Sequence, residues 1–301
     1  MTKESPQGGR LVIVGGAEDR ENGKSVLRRF VELLPASQAP LFVLTAATQE
    51  PQAHWQTYSK AFGELGVEHC EPLHIEGREQ ANDRELADRV LESRGVFMTG
   101  GDQKRLLARL GGSLLCDAMR RAYVERGACI GGTSAGASAV SAYMLDPGPP
   151  QVHAERDEIS LRAGLGFLLD VVIDQHFSER QRLGRLLGAV AHNPKLIGIG
   201  IDEDTALVVH RGHGCEVTGS GAVTLIDGRA MNSSFVRAGE REVAQLSDVG
   251  LHLLPACVRY RADGRIEPAK DDVRPMSARL HELVRQLCSA SNVDESYVEL
   301  G

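Results

Sequence analysis

The chain has 301 residues, of which 42% are hydrophobic, 25% charged and 4% aromatic, with a net charge of −7 at pH 7. That balance suits a globular protein large enough to bury its own core, and it argues against a nucleic-acid binder, which would carry basic runs interleaved with aromatics. No apolar run approaches the roughly 18 residues of a membrane span, and the opening MTKESPQGGR lacks the apolar core of a secretory signal, so a cytoplasmic location and no membrane contact are expected.

Taken in chain order, short apolar runs alternate with longer amphipathic ones. Leu11–Val14 reads as a buried strand, and Lys24–Leu34 as a helix with Val26, Leu27, Phe30 and Leu33 near helical spacing. Leu41–Thr45, Gly95–Thr99 and Ala128–Ile130 continue the strand series, with helices over Gln103–Leu110 and Leu114–Val124. Val171–Ile173 and Leu196–Ile201 complete it. The alternation predicts βαβ units and a mostly parallel sheet. From about Glu216 the texture changes to EVTGSGAVTLIDG and ACVRYRADGRIEP, short strands with turns at Ile226-Asp227-Gly228 and Ala262-Asp263-Gly264. This predicts an antiparallel extension. Met276–Leu287 follows as a helix, and SASNVDESYVELG as a frayed tail. With no long Gly/Ser/Pro linker, the whole of 1–301 is expected to form a single domain, its core over about 11–265 and a C-terminal helix and tail over about 274–301. The six cysteines form no C-x-x-C pair and no zinc-ligand spacing, so buried reduced thiols are expected.

Chemistry concentrates at the strand ends. Gly132-Thr133-Ser134-Ala135-Gly136 matches G-x-S-x-G, the pattern of a nucleophile elbow between strand and helix. Its alternative is a glycine-rich turn or a phosphate loop, although no Gly-Lys-Ser/Thr follows to make a full P-loop. A serine nucleophile needs a base, and His176 in VVIDQHFSERQRLGRLL follows an apolar strand at the same kind of end. Ser178-Glu179-Arg180-Gln181 matches an S-x-x-Q capping box, which predicts a helix start directly after the histidine. Leu183, Leu186, Leu187 and Val190 then give a buried stripe that Asn193-Pro194 ends. An orienting acid is offered by Asp202, Glu203 or Asp204, which the residues alone leave open against a solvated turn. In FMTGGDQKRLL, Gly100-Gly101 permits close approach, so an N–H there pairs with the one after the serine as an oxyanion hole; otherwise this is a strand-to-helix turn capped by Asp102. In Gly15-Gly16-Ala17-Glu18-Asp19 the third glycine of a nucleotide fingerprint is missing. Asp19 is expected to cap the next helix, and Glu18 either to reach the site or to hold loops together. Arg182 and Arg185 share a helix face that by default is solvated. Beside a catalytic histidine, they and Arg180 are instead forks for a carboxylate, while Asp174 and Glu179 hold these arginines or a cationic substrate group.

Together, VGGAED, FMTGGDQ, GTSAGA, DQHF-x-x-R-x-R and GIGIDEDT, in this order, resemble the cyanophycinases, members of the serine peptidase family that also includes aspartyl dipeptidase. The similarity runs from about Leu11 to about Arg261. It departs at the ends, in the first ten residues and the tail, and MLDPGPPQVHAERDEISLRAG sits where members vary, its length expected to alter the pocket. The resemblance implies a doubly wound α/β fold of the class I glutamine amidotransferase type (flavodoxin-like), usually as a homodimer. It implies Ser134 as nucleophile, His176 as base and Glu203 as orienter, with Gly101 and Ala135 N–H groups holding the oxyanion. Its substrate contacts fall on Gln103, Asp174, Gln175, Arg180, Arg182 and Arg185. The implied substrate is cyanophycin, a poly-aspartate backbone with arginine on each side chain, and the product the β-aspartyl-arginine dipeptide, without metal or cofactor. The rivals are an aspartyl dipeptidase acting on short α-aspartyl peptides, and a catalytically silent binding or storage-granule protein. A cysteine-dependent amidotransferase fits less well, because Ser134 holds the elbow and Cys129 lies in the preceding strand.

Overall fold

The computed structural model describes residues 8–146, 159–236, 242–268 and 275–290. Five strands, four of them apolar runs and β3 an edge, build the parallel half of a nine-stranded sheet: β1 (Arg10–Val14), β2 (Leu41–Leu44), β3 (Cys70–Leu73), β4 (Gly95–Met98) and β5 (Cys129–Thr133). The continuous hydrophobicity of the four has a direct cause, since both faces of the sheet are covered. On one face Val12, Val14, Leu41, Val43 and Phe97 meet Phe30 of helix α1 (Ser25–Glu32) and Tyr58 and Phe62 of α2 (Pro51–Glu64). Phe30 and Phe97 meet edge-on with centroids 5.2 Å apart. On the other face Leu11, Ile13, Leu44, Met98 and Ile130 share a core with Leu106 of α5 (Gln103–Leu110) and Met119 of α6 (Leu114–Glu125). The short helices α3 (Arg78–Ala81) and α4 (Arg84–Leu91) connect β3 to β4. Strand β3 escapes the hydrophobic reading because it is a half-exposed edge carrying Pro72, a residue tolerated where no ladder partner needs its N–H.

Two expectations are corrected here. First, there is no single main sheet. After α7 (Ala135–Ala139), strands β6 (Ser141–Leu145), β7 (Leu161–Ala163), β8 (Leu168–Gln175) and, beyond α8 (Leu183–His192), β9 (Ile197–Ile201) enter a second, six-stranded sheet. The carboxyl-terminal strands then divide. β10 (Thr205–His210), β11 (Gly214–Gly219), β16 (Val258–Arg261) and β17 (Ile266–Pro268) extend the first sheet antiparallel, while β12 (Ala222–Asp227) and β15 (Gly250–Pro255) extend the second. The two-residue strands β13 (Asn232–Ser233) and β14 (Leu246–Ser247) pair apart from both. Second, the parallel strands run β3-β2-β4-β5-β1 across the sheet. This differs from the flavodoxin order of 2-1-3-4-5, because β1 lies at the far side against β5 and β10.

The two sheets share one core: Leu168, Val171, Ile173, Ile197, Ile199 and Ile201 join the same buried cluster as Leu11 and Ile13. Helix α9 (Ala278–Ala290) adds Leu283, Val284 and Leu287 to it. The expected tail beyond 290, and 147–158 of the variable segment, lie outside the described residues. Among the described residues no helix is long and apolar enough to cross a membrane.

One buried acid ties α1, β10, β11 and β16 together. Glu216 is 5% exposed and accepts from Arg29 Nε at 2.6 Å and Arg259 Nε at 2.6 Å, with His210 Nε2 at 3.4 Å. Burial pushes its carboxyl pKa up, but the hydrogen bonds from His210 and Arg29 outweigh burial and hold it down at about 2, against an ordinary 4.5. A carboxylate with a depressed folded pKa contributes stability above its unfolded value and loses it as pH falls. Urea unfolding followed from pH 5 downward should therefore show stability declining between about 4.5 and 2, and Glu216→Gln should flatten that part of the curve.

Candidate active site

The site forms where the two sheets meet. Strand β5 of the first sheet ends at Thr133 and helix α7 of five residues begins at Ala135. Between them Ser134 sits at φ 51°, ψ −109°, a conformation unfavourable for a side-chain-bearing residue and characteristic of a nucleophile elbow. Its N–H donates to Val14 O at 3.1 Å, which pins the turn to the end of β1. The flanking glycines are needed for close approach. A Cβ on Gly132 would fall 2.5 Å from Gly136 O, and one on Gly136 would fall 2.6 Å from Met98 O.

His176 arrives from the other sheet, one residue past β8. Its N–H donates to Gly15 O at 2.8 Å, and its Nε2 lies 3.1 Å from Ser134 Oγ. On the far side of the ring Nδ1 lies 2.5 Å from Glu203 Oε1. With Nδ1–H donating to that carboxylate, Nε2 is left as acceptor for the serine hydroxyl. The imidazole rests on Gly16, which has φ +101° and where a Cβ would fall 2.3 Å from His176 Cε1. Gly15-Gly16, unassigned in the sequence once the nucleotide fingerprint failed, is thus the floor under the histidine. Gly16→Ala is expected to push the ring aside and lower kcat by about 100-fold, with steady-state kinetics as the check.

The acids Asp202, Glu203 and Asp204 occupy the crossing from β9 in the second sheet to β10 in the first. Each has a separate task. Asp202 accepts from the Ser178 hydroxyl and from the N–H of Ala222 at 3.1 Å. Glu203 takes the imidazole. Asp204 accepts from the N–H of Asp19 at 2.9 Å. Glu179 braces Glu203 by accepting its N–H at 3.2 Å. Those local bonds also correct two expectations. Ser178 gives its N–H to Asp202 at 3.2 Å, the group Gln181 would have to accept, so no S-x-x-Q box forms; residues 178–181 make turns, and α8 starts at Leu183 after Arg182. Asp19 does not cap α1, which begins after Lys24. It gathers the N–H groups of Glu21, Asn22 and Lys24 in the preceding loop, and these hold its carboxyl well below the usual range.

Gly100-Gly101 lies against the elbow: a Cβ on Gly100 would sit 3.4 Å from Ser134 Cβ. Gly101 has φ +143°, and Asp102 caps α5 by accepting from Lys104 N–H at 2.8 Å. Ala135 opens α7, so its N–H is one of the first-turn donors that find no acceptor within the helix.

The remaining candidates gather beside the triad-like chain. Gln175 Oε1 stands 3.5 Å from Ser134 Oγ, and Gln103 donates from Nε2 to Leu145 O at 2.5 Å. Arg182 and Arg185 are not a solvated face. Each is 4% exposed, and they close on Asp174, itself 1% exposed. Arg182 Nη1 donates to Asp174 Oδ1 at 2.9 Å and also to Gln175 O, and Arg185 Nε donates to Asp174 Oδ2 at 2.8 Å. Burial lowers the Arg182 pKa despite the pull of Asp174. Arg182 Nε has no hydrogen-bond partner among the described residues. Arg180 is exposed, with its N–H on His176 O at 3.1 Å.

Comparison with known proteins adds an independent line. A model of peptidase family S51 matches residues 11–217. A cyanophycinase of Geminocystis herdmanii is 34% identical over 251 residues, covering 83% of this chain and 92% of that protein. A cyanophycinase of Trichormus variabilis is 35% identical over 245 residues, 81% of this chain and 82% of that one. Among solved structures, a peptidase from an acI-B1 Actinobacterium superposes with a TM-score of 0.58 at 21% identity, over 85% of this chain and all of that one, which shows a shared fold.

Proposed function

The chain belongs to peptidase family S51, and from that membership we propose that it is a serine peptidase that hydrolyses cyanophycin to β-aspartyl-arginine. The observation that carries the chemistry is the continuous chain from Ser134 Oγ to His176 Nε2 at 3.1 Å and from His176 Nδ1 to Glu203 Oε1 at 2.5 Å. The substrate class comes from the cyanophycinases that match over more than four fifths of this chain.

In this reading His176 takes the hydroxyl proton as Ser134 attacks a backbone carbonyl on the carboxyl side of a modified aspartate. Glu203 stabilises the imidazolium that forms. The N–H groups of Gly101 and Ala135 receive the oxyanion. His176 then returns the proton to the leaving amine, and water, activated by the same imidazole, releases the acyl group from Ser134. Each substrate unit carries a carboxylate and a guanidinium. The mixed-charge cluster of Asp174, Arg180, Arg182 and Arg185, with Gln103 and Gln175, suits both, with the exposed Arg180 placed to meet a substrate carboxylate and the buried Arg182 and Arg185 held on Asp174 behind it.

The same reading takes the chain as one peptidase domain, supported by the core that both sheets share, and relates the elbow architecture to class I glutamine amidotransferases. It extends to a cytoplasmic homodimer. Six free thiols suit a reducing compartment, and light scattering tests the dimer.

The test of function is incubation with insoluble cyanophycin and identification of the released product by mass, with Ser134→Ala alongside. Release of β-aspartyl-arginine by the parent alone supports the proposal. Cleavage of α-aspartyl dipeptides with the polymer untouched would replace it with a dipeptidase, and binding without release would replace it with a silent binder.

A further inference from the structure

Glu18 is a carboxylate only 2% exposed, buried between the first sheet and α2. Two hydroxyls point at it. Tyr58 of α2 donates to Glu18 Oε1, and Thr133 Oγ1 donates to Glu18 Oε2 at 2.6 Å. Thr133 is the last residue of β5 and directly precedes Ser134. A Cβ on Gly131 would meet Phe30 and Phe97, so the pleat places Thr133, two residues on, over that same α1/α2 face. The carboxylate therefore grips the chain from behind the elbow.

Burial and the neighbouring Glu18 charge push the Tyr58 hydroxyl well above its ordinary pKa. It stays protonated and remains a donor. Arg20 stands over the Tyr58 ring, 5.8 Å from its centroid, which places a cation near the otherwise apolar surroundings of the acid. A buried carboxylate is costly to leave unpaired, so both hydroxyls are held where they are.

The strained backbone at Ser134 needs such fixing. A conformation of this kind persists only where its surroundings over-determine it. The structure has an anchor after the turn, Ser138 N–H on Ser134 O at 3.0 Å, and one at it, Ser134 N–H on Val14 O at 3.1 Å. The anchor before it is the Thr133–Glu18 bond. We propose that Glu18 is a positioning residue: acting through Thr133, it fixes the turn that aims Ser134 Oγ at His176 Nε2. This rests on the reading of Ser134 as nucleophile.

The experiment measures phosphonylation of Ser134 by a fluorophosphonate, followed by intact mass, beside kcat and KM on cyanophycin. Thr133→Val removes the hydroxyl at nearly constant shape and is expected to slow labelling and kcat together by about 10- to 100-fold, with KM within about twofold. Thr133→Ser, which keeps the hydroxyl, should recover most of that rate. Glu18→Gln retains one acceptor oxygen and should lose less; added to Thr133→Val it should cost little more, because both act on one contact. A folded Thr133→Val labelled within about twofold of the parent overturns the proposal. If Glu18→Gln fails to fold, the Thr133 pair decides alone. Failure of the underlying reading looks different: the parent resists labelling, or Ser134→Ala still accepts the phosphonyl group.

Discussion

Ser134→Ala is expected to lower cyanophycin turnover by about a millionfold while leaving KM within a few fold. The variant removes one oxygen and keeps the rest of the site. His176 retains its bond to Glu203, and the Gly101 and Ala135 N–H groups proposed for the oxyanion are left unaltered. What remains is binding and oxyanion stabilisation without a nucleophile, which in acyl-transfer sites leaves only a small residual rate. His176→Ala should cost about as much, and the double variant no more than either, because in the proposed mechanism Ser134 and His176 act as one unit. Folding should be nearly unaffected, since alanine occupies the same turn and loses no buried partner. Product release measured by mass per mole of folded protein, with a melting curve in parallel, gives the answer. A Ser134→Ala variant within tenfold of the parent would remove Ser134 from the role assigned to it.

The second large effect is on stability. Asp174→Ala strips the shared partner from Arg182 and Arg185, each 4% exposed. Breaking a buried ion pair by removing one side leaves an uncompensated charge and typically costs about 3–5 kcal/mol. Here two guanidiniums lose their carboxylate at once, so the upper part of that range is expected, against a total stability of roughly 5–15 kcal/mol. Arg185 keeps a bond to Asp146 O and Arg182 one to Gln175 O, which limits the loss. Activity should fall as well, because Asp174 lies two residues before His176 on the same strand end. Urea unfolding is the measurement, and a midpoint shift equivalent to less than 1 kcal/mol would show that the cluster is hydrated and flexible rather than buried. Replacing Asp174, Arg182 and Arg185 together with apolar residues should recover much of the lost stability while activity stays low, separating the two roles of the cluster.

Particular residues show what was legible in advance. The helix Gln103–Leu110 was readable to its ends, because Asp102 is a side-chain cap and the apolar residues keep helical spacing. The elbow was readable because only glycine fits at 132 and 136. The S-x-x-Q pattern after His176 misled for a physical reason. In a capping box the glutamine side chain accepts the serine N–H, and here a distant acid, Asp202, takes both that N–H and the hydroxyl proton. For Arg182 and Arg185 the sequence left a solvated face, a substrate fork and a hold by Asp174 or Glu179 open, and the structure places both on the buried Asp174.

The sequence by itself determined things that depend on neighbours along the chain: the buried apolar strands β1, β2, β4, β5 and β9 and which residue types stand at their ends, though not the edge strand β3 or the short β6 and β7. Ser134, His176 and Glu203 were all identifiable as strand-end residues, and the family resemblance chose Glu203 among the three acids. Only the tertiary structure decided that they come from two different sheets and meet at the seam between them. Local periodicity is the same for a strand in either sheet, so membership is set by which buried faces match. Here the apolar faces of β8 and β9 found the same core as β1. That packing brought Gly16 under the imidazole and Glu18 behind the elbow. Both contacts are between residues more than a hundred positions apart in the chain, where no sequence period reaches.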